Sequence, residues 1–365
     1  MKRLVIKIGS NILATERSGL NLDTIQALSK DISHIASSGY EVVLVSSGSI
    51  AAGIKKLGLT RRPKDIRHKQ AAAAVGQSNL MWAYERGFAK FGKKVAQVLL
   101  TTEDFCDRKR YINAKNTLLT LLSYDVIPIV NENDTVSTDE IKFGDNDNLA
   151  SFVSILVEAD QCIMLSDVKG LYDDDPRLNK NAVIIHHVDE ITPDVEKMAG
   201  ESKTLVGTGG MYSKVLAAKK ATHHGIGVHI ISGKKPGLLK GLIDGDKAGT
   251  YFEPKKQGLS HRKSWIAYSS RSKGSIAIDS GAVKALRKMG KSLLPSGIVS
   301  VEGSFEVGDA VYCLDPEGKR VAKGLMNYSS SDIKKIKGHK TSEIEAILGY
   351  KYSDEAIHRD NLVIL

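Results

Sequence analysis

From Leu4 to Ile231, short apolar runs alternate with stretches of helical period, and nothing else in the chain limits its fold so tightly. Leu4–Ile8, Val42–Val45, Val95–Leu100, Ile127–Val130, Cys162–Leu165 and Val228–Ile231 read as buried strands, being brief, largely β-branched and almost free of charge. Residues 23–38, 50–57, 66–91, 112–124, 149–157 and 211–225 carry helical spacing between them. Strand and helix in turn require crossover connections, so the expected architecture is α/β, a mainly parallel sheet sandwiched by helices. The pattern breaks in the Gly- and Lys-rich segment 233–258. From about Arg271 the texture changes to short strands with turn signals, at Ile276–Ile278, Gly297–Val301, Ala310–Leu314 and Val321–Gly324. We therefore expect an α/β domain over residues 1–258, a linker over 259–270 and a small β-rich module over 271–365.

Composition narrows the class. The first strand starts at once and carries Lys2, Arg3 and Lys7, which does not suit a secretory signal, and no run is apolar enough to span a bilayer. A soluble, cytoplasmic protein is expected. Cys106, Cys162 and Cys313 are far apart and form no Cys-x-x-Cys pair, which argues against a disulfide framework and against a zinc site. The pairs His186-His187 and His223-His224 lie next to each other in sequence and point different ways, so no metal ligand set is assigned to them. The net charge of +10 suits a phosphorylated ligand as well as a polyanion, and residues 251–365 hold 19 Lys and Arg against 13 Asp and Glu.

Polar clusters follow the predicted strands. Asn131-Glu132-Asn133-Asp134 succeeds one strand, and Gly144-Asp145-Asn146-Asp147-Asn148 precedes a helix, both where open parallel sheets place ligands. No Gly-x-x-x-x-Gly-Lys-[Ser/Thr] loop occurs, and no Gly-x-Gly-x-x-Gly follows the first strand, so phosphate has to be held in another way. Lys7-Ile8-Gly9-Ser10-Asn11 joins a lysine to a glycine that allows close backbone approach. Ser46-Ser47-Gly48-Ser49 repeats the arrangement ahead of a helix whose amino terminus favours an anion, a plain N-cap serine being the bland alternative. Gly207-Thr208-Gly209-Gly210-Met211-Tyr212-Ser213-Lys214 is a glycine-rich turn with a lysine in the first turn of a helix, a mildly unfavourable place unless an anion is its partner. Ser166-Asp167-Val168-Lys169-Gly170 follows another buried strand.

Together these segments, in this order, resemble the amino acid kinase family, and Ser292-Leu293-Leu294-Pro295-Ser296-Gly297 with Gly338-His339 resembles a PUA domain. The resemblance implies that ATP phosphorylates the side-chain carboxylate of L-glutamate to give L-glutamyl 5-phosphate, the first step of proline biosynthesis, with proline as feedback inhibitor. It implies that Lys7 and Lys214 neutralise the phosphates while Asp147 orients both lysines. Ser47, Asp134 and Asn146 match substrate-binding positions, with Asp134 suited to the ammonium group. Lys7, Ser166, Asp167, Thr208, Gly209, Gly210, Met211, Tyr212, Ser213 and Lys214 match nucleotide-binding positions. Mg2+ is expected with the ATP, held mainly by phosphate and water, so no protein metal ligand is assigned. A homo-oligomer, dimer or tetramer, is also implied.

The residues present suit that chemistry. A glutamate side chain with pKa ~4.3 is ionised at neutral pH, so no general base is needed. The task is to hold two anions in line and to stabilise charge on the moving phosphoryl group. A relative acting on aspartate, N-acetylglutamate, carbamate or uridylate is the competing enzyme, and an RNA-binding protein on a decayed kinase scaffold the competing class. No basic-aromatic interleaving stands out in the tail, so a spacer or oligomer-tuning role is expected there rather than RNA binding.

Overall fold

Alternation in the first strand, β1 (Lys2–Ile8), sends Leu4, Ile6 and Ile8 to one face and Val5 and Lys7 to the other, all five buried. The computed structural model describes residues 2–15, 19–136, 146–200, 210–255, 263, 266–267 and 272–365. A short antiparallel hairpin follows, β2 (Ala14–Thr15) with β3 (Gly19–Leu20). Then come β4 (Tyr40–Ser46), β5 (Lys94–Leu100), β6 (Val126–Glu132), β7 (Gln161–Ser166), β8 (His187–Val188), β9 (Gly227–Ser232) and β10 (Thr250–Phe252). Among the described residues, eight strands form one sheet in the order β5-β6-β4-β1-β7-β9-β10-β8. Every neighbouring pair in it is parallel except β9 with β10. Pro128 inside β6 has no N–H to give, and β6 pairs with β4 only beyond it, at Ile129 and Val130.

One face of the sheet packs Leu4, Ile6, Ile8, Leu44, Ile129, Ile163 and Leu165 against the helices Leu22–Ser37, Ile66–Ala89 and Leu238–Ile243. The other face is covered by the helix Asn146–Leu156, which lies across β1, β4, β6 and β7, and by Met211–Thr222 against β9. Asn146–Leu156 is buried almost all round, and its buried hydroxyls turn back to its own carbonyls, Ser154 to Ala150 at 2.7 Å. The helices Ser49–Lys56 and Ile66–Ala89 cross at backbone contact. A Cβ added at Gly76 would lie 1.7 Å from the Ser49 carbonyl oxygen, and one at Gly53 would lie 1.8 Å from that of Ala72.

The expected sheet and its helices are all found, with ends moved by a few residues. Segment 233–258, expected to lack pattern, holds the helix Leu238–Ile243 and β10. Both are too short to show a period, and β10 follows directly on Gly249, φ +65°, where an added Cβ would lie 2.1 Å from the Ile230 carbonyl oxygen of β9. By internal contacts the chain falls into two units, one from the described residues within 1–104 and 109–258, the other from 105–108 with those within 259–365. The second unit carries β11 (Ser272–Ile278), β12 (Ile298–Gly303), β13 (Ala310–Leu314), β14 (Arg320–Leu325) and β15 (Leu362–Ile364), ordered β12-β11-β13-β14-β15. Its core gathers Ile276, Phe305, Val311, Val321, Tyr328 and Ile357. The two tail segments singled out in the sequence meet: the Gly338 amide donates to the Pro295 carbonyl at 2.9 Å.

Cys162 and Cys313 are fully buried, and burial pushes both thiols up to about 12. In the folded protein near neutral pH, an alkylating reagent is expected to label Cys106, which is partly exposed, and to spare the other two until denaturant is added. Mass spectrometry of native and denatured samples checks this, and rapid labelling of all three in the native protein would contradict the burial of Cys162 and Cys313.

Candidate active site

The motifs converge at the carboxyl ends of β1, β4, β6 and β7. Gly9 ties the turn after β1 to β7 by donating its amide to the Leu165 carbonyl at 3.1 Å, and a Cβ there would sit 3.3 Å from that oxygen and 3.8 Å from Lys7 Nζ. A side chain there would crowd the Leu165 carbonyl, which glycine avoids. After β4 the chain turns at Gly48, φ +105°, and this glycine, not a serine, is the N-cap of the helix Ser49–Lys56. Ser49 is thereby released, and its hydroxyl donates to Asp134 Oδ2 at 3.3 Å.

At the centre Asp147 stands between two lysines. Lys7 Nζ lies 2.5 Å from its Oδ1 and Lys214 Nζ 2.9 Å from its Oδ2. Lys7, Lys214 and Asp147 are 5%, 4% and 0% exposed. Burial works to raise the Asp147 pKa, but the Lys7 and Lys214 ammonium groups outweigh it and hold the carboxyl below the usual carboxylate range. Asp147 also occupies the first turn of its helix, where the macrodipole favours a negative charge. Ser213 donates to Asp147 Oδ2 at 3.2 Å and to the Gly210 carbonyl at 2.8 Å, fixing the start of the helix that carries Lys214. Among the described residues, the ion pairs of this cluster join two cations to one anion, an arrangement suited to a polyanion.

Beside it runs a relay of side-chain amides. Asn146 Nδ2 lies 2.7 Å from Ser47 Oγ, 2.8 Å from the Ser46 carbonyl and 3.0 Å from Asn131 Oδ1. Asn131 in turn donates through Nδ2 to Gln77 Oε1 at 2.9 Å. Ser46 Oγ is 2.8 Å from the Tyr84 hydroxyl, buried beneath the relay. A cavity of about 280 Å³ opens next to it, lined in part by Ser49, Gln77, Glu132, Asn133 and Asp134.

Of the residues singled out in the sequence, Lys7, Asp147, Lys214 and Ser213 meet in one cluster, and Ser47 meets Asn146. Ser166 and Asp167 form a separate group at the end of β7, where Asn11 Nδ2 donates to Asp167 Oδ2 at 3.1 Å and Ser166 Oγ to its Oδ1 at 3.3 Å. Partial burial works to raise the Asp167 pKa, but Asn11 leads the groups that bring it below its ordinary value. Thr208 and Gly209 lie outside the described residues, as do Gly144 and Asp145. Sequence reasoning gives no individual role to Asn11, which it places in the Lys7–Asn11 segment, nor to Asn131, and it misses Gln77 and Tyr84. Asn131 was at least legible as part of a polar cluster after a strand, whereas Tyr84 and Gln77 sit in the middle of an ordinary helical stretch.

A buried pair of lysines braced by one aspartate, at the carboxyl ends of parallel strands and flanked by glycine turns, can neutralise phosphate from two sides. The amino acid kinase family model matches residues 2–232, and the PUA domain model matches residues 274–348. The chain belongs to the amino acid kinase family. Within that family, relatives similar to it along its whole length carry the name glutamate 5-kinase. It is 51% identical to the one from Syntrophotalea carbinolica over 100% of this chain and 97% of the relative. Identity to that of Caldanaerobacter subterraneus subsp. tengcongensis is 51%, and to that of Geobacter sulfurreducens 50%, over 100% of this chain and 98% of each relative. The matched kinase region contains the whole cluster of Lys7, Asp147 and Lys214, and the PUA match falls on the second unit.

Proposed function

We propose that this chain is a glutamate 5-kinase, which transfers the γ-phosphoryl group of ATP to the side-chain carboxylate of L-glutamate in the first step of proline biosynthesis. The observation that carries the reading is the buried Lys7–Asp147–Lys214 cluster, together with full-length likeness to proteins of that name. Lys7 and Lys214 would flank the transferring phosphoryl group, and Asp147 would keep their two ammonium groups from repelling each other apart. An ionised substrate carboxylate attacks without a base, so rate enhancement comes from alignment and charge neutralisation. Ser47 and Asn146 would hydrogen-bond the substrate, and Asp134 would take its ammonium. Ser166 and Asp167, with Thr208–Lys214, would hold the nucleotide. Mg2+ comes bound to the ATP phosphates and offsets charge on them.

The same reading extends to feedback inhibition by proline and a homo-oligomer, supported by family likeness alone, and to a cytoplasmic location and a spacer or oligomer-tuning role for the PUA domain, supported by the sequence features given above. The division into a catalytic domain over 1–258, a linker over 259–270 and a PUA domain over 271–365 is part of the same reading, supported by the change of sequence texture near Arg271.

The test is ATP- and Mg2+-dependent hydroxamate formation in hydroxylamine, with L-glutamate, L-aspartate and N-acetylglutamate in parallel. Hydroxamate from L-glutamate alone is expected, and turnover of another acid instead would move the specificity. Lys214→Ala is expected to lower kcat by about 10²–10³, the cost of removing one electrostatic stabiliser of a transition state. Near-normal turnover in that variant would mean that Lys214 does not stabilise the transferring phosphoryl group.

A further inference from the structure

Tyr84 lies wholly buried on the helix Ile66–Ala89, and its ring stacks on Phe88 with centroids 6.2 Å apart. Among the described residues its hydroxyl meets one polar atom, Ser46 Oγ, at 2.8 Å. Ser46 Oγ also reaches the Ser47 carbonyl at 3.2 Å. Each hydroxyl has one hydrogen to give and a carbonyl can only accept, so a single direction places both hydrogens. Tyr84 donates to Ser46, and Ser46 donates to the Ser47 carbonyl. Burial pushes the Tyr84 phenol above its ordinary range, which keeps it a donor at physiological pH.

The turn that follows β4 is thereby held from three elements. The Ser47 amide donates to the Ile8 carbonyl of β1 at 3.3 Å, and the Ser46 carbonyl accepts from Asn146 Nδ2 at 2.8 Å. The Ser47 carbonyl is held by Ser46, with Tyr84 behind it. Because the Ser46 carbonyl can only accept, Asn146 faces the turn with its Nδ2, and Asn131 Oδ1 fixes that orientation from the far side at 3.0 Å. Ser47 Oγ therefore accepts from Asn146 Nδ2, at 2.7 Å, and keeps its own hydrogen for another acceptor.

We infer that Tyr84 is a positioning residue, which acts through Ser46 to aim the Ser47 hydroxyl at a carboxylate oxygen of the amino acid substrate; this rests on the glutamate kinase reading. The hydrogen of Ser47 needs an acceptor, which the substrate's carboxylates are and its ammonium is not. Ser47 is only partly buried, so a ligand can reach it. A phenylalanine at position 84 would fill the same space with no hydroxyl to satisfy. What the hydroxyl adds is direction at the Ser47 peptide, since a buried polar group is kept in register by the partner it needs.

Tyr84→Phe removes the hydroxyl and keeps the ring. The KM for L-glutamate is expected to rise about threefold to tenfold, the net worth of one neutral hydrogen bond, while kcat and the KM for ATP stay within about twofold. Ser46→Ala cuts the same chain from its other end and should reproduce this split. The deciding measurement is a cycle with Ser47→Ala. In that background Tyr84→Phe should move the KM for L-glutamate by no more than about twofold, because the hydroxyl that it aims is gone. If Tyr84→Phe raises this KM by the same factor with and without the Ser47 hydroxyl, or lowers the urea midpoint with the KM unchanged, Tyr84 is a packing residue and the proposal is overturned. Either result, with hydroxamate still formed from L-glutamate, would leave the kinase reading standing. Hydroxamate from none of the acids in the unaltered protein would instead overturn that reading and the role of Tyr84 with it.

Discussion

Asp147→Asn is expected to destabilise the protein and to remove nearly all of its turnover. The substitution keeps shape and takes away the charge that two buried ammonium groups share, at 2.5 Å and 2.9 Å. Stripping one partner from a buried ion pair costs about 3–5 kcal/mol, because the remaining charge is left uncompensated. Two lysines lose the carboxylate they share here rather than one, so a loss within that range is expected. The wild-type carboxyl titrates below the usual carboxylate range, so its contribution is present above the unfolded-state pKa and is lost as pH falls through the folded-state pKa. Chemical denaturation across pH should therefore show a wild-type stability advantage that fades only in strong acid. On the proposed reading ATP would add its own negative charge beside the two lysines, so it should raise the melting temperature of Asp147→Asn by more than it raises that of the wild type. Equal ATP shifts in the two proteins would sever the nucleotide from this cluster.

Gly76→Ala should have an effect of similar size by a different route. Alanine is the better helix former by about 1 kcal/mol, so propensity alone predicts a gain. Packing predicts the reverse, because the new methyl carbon would lie 1.7 Å from the Ser49 carbonyl oxygen and 2.4 Å from the Gly53 amide nitrogen. Backbone atoms cannot rotate away, so the helices Ser49–Lys56 and Ile66–Ala89 must separate. Overpacking costs about 1–3 kcal/mol where side chains can adjust, and a clash with backbone should reach or exceed the top of that range. The first helix carries Ser49, which bonds Asp134, and the second carries Gln77 and Tyr84, which bond Asn131 and Ser46. The KM for L-glutamate should therefore rise more than the KM for ATP. Urea denaturation and steady-state kinetics check both parts, and a variant as stable as wild type with unchanged KM would show that the crossing has slack that this packing denies.

Part of the site is readable in the order of residues alone. Lys7, Ser47, Asn146, Asp147 and Lys214 stand beside glycine turns or strand ends, and such local signals survive in one dimension. Gln77 gives no such signal, because a polar residue on a helix that reads Ala-Ala-Ala-Ala-Val-Gly-Gln is indistinguishable from one facing solvent. What makes it notable is an orientation imposed by Asn131, from another element and a distant part of the chain. The strands β8 and β10 were missed for a related reason. Two or three residues carry no measurable period, and their strand character comes from the edge of the sheet that they extend.

The sequence by itself determined the alternation of strand and helix, hence a parallel sheet, and the polar clusters at strand ends, because side-chain periodicity and turn chemistry are properties of neighbouring residues. Which clusters meet was decided only by tertiary structure. Strand order sets β1 between β4 and β7, and this carries Lys7 under the helix of Asp147 while β9 sets the helix of Lys214 beside it. Charges that lie far apart along the chain become a site once the burial of apolar faces has fixed that order, since a lone lysine or aspartate cannot bear the desolvation that the three share.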